Sequence, residues 1–324
     1  MHTTENDKEF RKFIYDRQKS RFELCLYPGT TWCTQEVINA HSIQNHGVLE
    51  NLVEDGHVAV IGMRHNLDKG PQPEFQLLGR HRATTFSGLC GPHDHQLFEP
   101  IDTAPFDPLR EDHKFLLAYR SILREAHAQC RAARLIQSTY SKGVDLRRFD
   151  PNTPDEPMTK ATTAMLESWC FFRHLCSYHD AYCSNQLSAI EHHVLTVSDS
   201  PGQFAVSGAY ALIDNMSRAE DRLDYKCAAL NLFPSGGQTI CVLSYPASHR
   251  SHWLGQINEM HATAGEYRKY YFSKLVLQHC ENTVFAPSYV AALSEAKRAS
   301  LLKYFAATMS PQKQDYEDEN LYLF

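Results

Sequence analysis

Apolar positions first fall into a helical rhythm in "LREDHKFLLAYRSILREAHAQCRAARLIQ", residues 109–137. Leu116, Leu117, Tyr119, Ile122 and Leu123 recur near the 3.6-residue period, and neither Gly nor Pro interrupts the run. The loop "DPNTPDEP" follows. A second long helix is predicted over about 158–186, through "AMLESWCFFRHLCSYHDAYCSNQL". Both helices are apolar on more than one side, so both are expected in the middle of the protein. From about residue 190 the period changes. "EHHVLTVS", "FAVSGAYALI" and "CAALNLFPSGGQTICVLSY" alternate and carry β-branched and aromatic residues, which predicts strands. "PSGG" at 234–237 reads as a hairpin turn between two of them. Helices around 250–280 and 288–308 complete the region, and the polar tail from 311 to 324 is expected to be disordered. In "HCENTVFAPSYV", Glu281 and Asn282 are expected to cap one helix, with Pro287 and Ser288 starting the next.

The first third differs. Residues 5–24 form a charged helical pattern, and 25–102 is rich in Cys, His and Gly. Seven of the 18 histidines fall between 41 and 95, and "FEPIDTAPFDP" closes the segment. The expected architecture is therefore α+β: a module over 20–102, then a helical middle and a mixed C-terminal part over 103–310.

Composition narrows the function. A formal charge of -6 and a pI near 6.3 argue against attachment to nucleic acid by overall charge, but leave room for a local basic site. No apolar run reaches the roughly 18 residues that span a bilayer. The charged N-terminus has no apolar signal core, so a cytoplasmic protein is expected. There the ten cysteines stay reduced and serve as metal ligands or small core residues. "FPSGGQT" lacks the Lys-Ser/Thr end of a phosphate loop, and no G-x-S-x-G is present. Arg124 and His127 lie one helical turn apart and are better read as part of an amphipathic face.

The chemistry concentrates in two stretches. "CLYPGTTWC" carries Cys25 and Cys33, with Pro28 and Gly29 between them to turn the chain back. "LCGPHDHQL" carries Cys90 and His93, spaced so that one turn presents both to a single ion. Together they make a Cys3His set, the composition of a closed structural Zn2+ site.

This layout resembles the treble-clef module of HNH-type endonucleases, in which a Cys pair precedes an "H-I" strand and an "LC-x2-C/H" element opens the last helix. Here those elements are Cys25 and Cys33, Ala40-His41-Ser42-Ile43, and Leu89-Cys90-Gly91-Pro92-His93-Asp94. The order of "HSIQ", "GHV" and "FSGLCGPHD" also resembles a group of bacterial proteins of unassigned activity, some from phage-defence settings. The nuclease resemblance implies His41 as the base that activates water, Asp94 as a ligand for catalytic Mg2+, and His95 as the next candidate. It implies nucleic acid as substrate. The family's middle Asn is not evident: "TTFSG" stands in its place, and His57 is a substitute candidate. His41 has two other readings, as a zinc ligand in place of His93 and as a core histidine. The competing function is a non-catalytic, zinc-stapled binding or regulatory protein with a protein partner.

Overall fold

A computed structural model describes residues 5–29, 33–66, 70–212, 225–308 and 317–324. It is an α+β fold built on a seven-stranded antiparallel sheet in the order β3-β2-β9-β6-β7-β8-β5. The strands are β2 (His57–Asn66), β3 (Gly70–Gly79), β5 (Ile190–Ser198), β6 (Phe204–Ala211), β7 (Cys227–Ser235), β8 (Gln238–Pro246) and β9 (Thr283–Phe285). The β7–β8 turn is Gly236–Gly237, both at positive φ, as a two-residue hairpin loop requires.

Both faces of the sheet are covered. On β7, Ala228, Leu230 and Leu232 join one buried cluster, while Cys227, Ala229 and Phe233 lie in two others. Successive side chains of a strand point to opposite faces, so the run is apolar without alternation. The first face packs on α5 (Arg250–Ala262), α6 (Gly265–His279) and α8 (Glu295–Thr308) through Trp253, Met260, Phe272, Val276 and Tyr304. The second packs on α3 (Glu111–Asp145), whose residues 115–123 are all buried. That confirms the central position expected for this helix. At 35 residues it runs about 52 Å. It ends where Phe149 folds onto Gly143: a Cβ there would lie 2.2 Å from the ring, so any side chain would displace it.

The helix α4 (Glu156–Cys183) starts at Asp155, whose carboxylate accepts from Met158 N at 2.7 Å. Its buried side runs from Phe171, Leu175 and Tyr178 against α3 to Cys170 and His174 beside Tyr225. Its second apolar side, Met165, Leu166 and Trp169, faces solvent, contrary to the expected central packing.

Three further expectations change. The C-terminal helices are interrupted, at Thr263–Ala264 and again between α7 (Pro287–Ala292) and α8. Pro287 does open α7, but Asn282 is no cap: its Nδ2 donates to Ser42 Oγ and Ser207 O, and the next three residues are β9. The end of the chain is ordered from residue 317, because Leu321 and Leu323 are buried in the core. Disorder expected for 311–316 lies outside the described residues.

The N-terminal elements are α1 (Glu5–Lys19), the short strands β1 (Ala40–His41) and β4 (Thr85–Phe86), and α2 (Gly91–Asp102). Between β1 and β4, the β2–β3 hairpin leaves this group and joins the main sheet beside β9.

Candidate metal centre

The β1–β4 pair carries one side of the site. Ala40 pairs with Phe86 and His41 with Thr85, and the ladder continues through Ile38 N to Leu89 O (2.9 Å). Leu26 N donates to Gly88 O at 2.8 Å, which brings the Cys25 segment alongside. Cys90 then stands as the N-cap of α2, with Pro92 in the first turn. Its side chain does not cap the helix, so the sulfur is free to point toward Cys25 and His93.

The four ligand atoms of Cys25, Cys33, Cys90 and His93 all lie within 4.8 Å of one another and can hold a metal ion. His93 Nδ1 is 3.3 Å from both Cys25 Sγ and Cys90 Sγ, and the Cys33 and Cys90 sulfurs are 3.8 Å apart. A tetrahedral ion with ordinary Zn–S and Zn–N bonds would set edges of about 3.8 Å between sulfurs and about 3.5 Å between sulfur and nitrogen. The measured edges are close to those. Cys25 and Cys90 are buried, and no cysteine in the chain forms a disulfide.

Electrostatics suit a cation. Burial pushes the Cys25 thiol up to about 11, against the backbone N–H groups of Tyr27 and Cys90, and the Cys90 side chain adds to the rise. The backbone N–H of Gln35 draws Cys33 the other way. Burial also lowers His93, which keeps its imidazole neutral and able to ligate. A buried group of thiolates needs a positive partner, and these donors are the soft set that suits Zn2+.

Around the cluster, Tyr27 stacks flat on His93 with centroids 3.8 Å apart and 9° between planes. Tyr27 meets His179 edge-on at 4.6 Å, and His179 Nδ1 is 2.9 Å from Tyr119 OH. Sequence reading missed all three. Tyr27 stands two residues from Cys25, but the partners on α3 and α4 come from distant sequence and leave no local signal.

The residues implied for catalysis differ in setting. His41 is half-buried, and its Nε2–H donates to Arg80 O at 3.2 Å, leaving Nδ1 for any other partner. Burial lowers its pKa; Arg120 and Asp102 also act on it. Asp94 turns inward, where burial raises its pKa and Arg120 opposes the rise. Among the described residues its Oδ1 has no hydrogen-bond partner. Arg120 is bound by Asp102, at 2.8 and 2.7 Å. His95 points away, with a side chain 72% exposed and Nε2 3.8 Å from Glu99. His57 bonds its own turn, Nδ1 to Asp55 O at 2.8 Å, on an exposed hairpin. Among the described residues the Cys/His cluster is the one group of three or more metal-ligating side chains at ligand spacing.

No protein-family model matches the chain, and neither the curated proteins nor the solved structures contain a significant match. Among the described residues, no helix is long and apolar enough to cross a membrane.

Proposed function

We propose that Cys25, Cys33, Cys90 and His93 hold a structural Zn2+, and that the protein is a zinc-stapled binding or regulatory protein of the cytoplasm with an HNH-like N-terminal unit. The observation that carries this reading is the convergence of the four ligand atoms within 4.8 Å of one another, with three of the pairs at 3.3, 3.3 and 3.8 Å. All four protein positions are filled, as in a closed structural site, with none left for a substrate. The ion would tie two pieces distant in sequence: the segment after α1, with Cys25 and Cys33, and the N-terminus of α2, with Cys90 and His93. The test is the metal content of purified protein by plasma mass spectrometry, beside the double change Cys25→Ser/Cys90→Ser. We expect about one Zn2+ per chain in the parent and none in the variant. A parent protein prepared without chelator that carries no zinc overturns the reading.

A second reading, a metal-dependent nuclease with a role in phage defence, rests on one observation. His41 ends β1, which pairs with the β4 strand that precedes Cys90, and both it and Asp94 lie within electrostatic reach of Arg120 and Asp102. In this reading His41 is the base and Mg2+ joins at Asp94. With added Mg2+, the protein should cut nucleic acid, and His41→Ala should lower the rate by about 100-fold or more while zinc content stays unchanged. Equal rates in parent and variant would assign any cleavage to a contaminant.

A further inference from the structure

The seam between α1 and α3 is neutralised at one end and strongly basic at the other. Near the start of α1, Asp7 pairs with Arg148 and Glu9 with Lys142 (2.6 Å). At the opposite end Arg17, Arg21, Arg131 and Arg134 converge on one cleft, with Phe22 and Leu135 in its wall. Arg21 has a loose contact with Glu23 at 3.6 Å, both side chains being largely exposed. Arg17, Arg131 and Arg134 have no carboxylate among the described residues within ion-pair distance, and Asp16 in the same stretch pairs with none of them. They are held by other means. The Arg17 guanidinium lies 5.3 Å from the Phe13 ring centre, Arg134 lies 5.9 Å from that of Phe22, and Arg131 Nη2 donates to Gln18 O at 3.1 Å.

Four guanidinium groups in one cleft repel one another, and in a chain of net charge -6 this concentration stands against the overall trend. An anion would relieve it. We propose that this cleft binds the phosphate backbone of a nucleic acid. Arginine carries a planar fork that fits phosphate oxygens in pairs, and aromatic rings beneath two of the four limit their motion before binding. Arg17 comes from α1, Arg21 from the segment after it, and Arg131 and Arg134 from one turn of α3, a spread of cations around the cleft that suits successive phosphates of one chain. A membrane surface fits less well, because insertion needs an apolar face beside the basic one. Tyr15 is the exposed large apolar residue of α1, and it is only 39% exposed.

The cleft also borders the Cys/His module. Phe22 O accepts from His127 Nε2 at 2.8 Å, which pins to α3 the segment that leads into Cys25. The proposal goes beyond the zinc staple and does not depend on cleavage, since binding and metal content are measured separately.

The experiment is fluorescence anisotropy with a labelled oligonucleotide, single-stranded and duplex, between about 50 and about 200 mM salt. Three proteins are compared: the parent, Arg131→Ala/Arg134→Ala, and Arg64→Glu. Both variants change the charge by the same amount, but Arg64 lies on β2 and pairs with Glu74. Circular dichroism and zinc content verify that each is folded. The expected result is parent binding that weakens steeply with salt. The double variant should lose at least about tenfold in affinity at low salt, with a log–log slope shallower by about two. Arg64→Glu should bind as the parent does. No oligonucleotide binding at the lowest salt overturns the proposal, as does equal weakening in both variants. So does binding to anionic phospholipid vesicles, or to inorganic phosphate alone, without oligonucleotide binding.

Discussion

Tyr27 is the side chain that most constrains His93. Its ring lies 3.8 Å from the imidazole and is itself held edge-on by His179, so rotation of His93 away from the three sulfurs is blocked on that side. Residues that orient a metal ligand commonly change affinity by about 10–100-fold when removed. Tyr27→Leu should therefore weaken metal retention by that factor in competition with a chromogenic chelator, with zinc still bound at saturation. Unchanged affinity would show that the stack only fills space. At this scale the sequence was most informative where ligands sit close together: Cys90 and His93 lie in one turn, and Cys25 and Cys33 flank a Pro-Gly bend. It was least informative about orientation. Nothing in "LCGPHDHQL" says that Asp94 turns inward toward Arg120 while its neighbour His95 meets solvent. That follows from how α2 rests on α3.

Elements with a long, regular pattern could be read directly. Helix α3 and strands β5 to β8 stand close to where apolar periodicity predicted them, because each buries enough side chains to impose a period. The β9 strand is three residues long, too short to show alternation, and it is flanked by Asn282 and Ala286. Yet it sits between β2 and β6, and so joins the two halves of the sheet. Asn282 strengthens that junction: its Nδ2 donates to Ser42 Oγ (2.9 Å) and Ser207 O (2.8 Å), and Ser42 Oγ donates to Thr84 O (2.7 Å). One buried amide thereby connects the main sheet to the strand pair that lies beside the metal ligands. The β2–β3 hairpin escaped notice for another reason. It lies inside a segment whose Cys and His content suggested a separate module, and its partner strand is more than 200 residues away in sequence. Helix α4 misled in the opposite direction, since its second apolar stripe at Met165, Leu166 and Trp169 is exposed.

Across the whole molecule, the histidines set the response to acid. Burial lowers the pKa of His41, His113, His127, His179, His192 and His193 in the folded state, with His192 reaching about 4. Geometry reinforces this at two of them. Asp107 N donates to His113 Nδ1 at 3.1 Å, a bond that protonation of that nitrogen would break. His192 Nε2 is buried without a hydrogen-bond partner among the described residues, and Lys114 nearby adds to the penalty for a positive charge. Unfolding exposes all six to water, where a histidine takes up its proton near pH 6.5. Between that pH and each lower folded value the unfolded chain binds more protons, so stability must fall as pH falls. Each group contributes up to about 1.4 kcal/mol per pH unit while only its unfolded form is charged. For His192 the loss approaches about 3 kcal/mol by pH 4. Asp94, whose pKa is raised, acts with the opposite sign but is a single group. Urea unfolding followed from pH 7.5 to pH 5 should show stability decreasing throughout. His192→Gln should flatten that slope by up to one proton, a change that metal release at the cysteine cluster cannot mimic. Stability that stays level or rises on acidification would mean that these imidazoles are charged and paired in the folded protein.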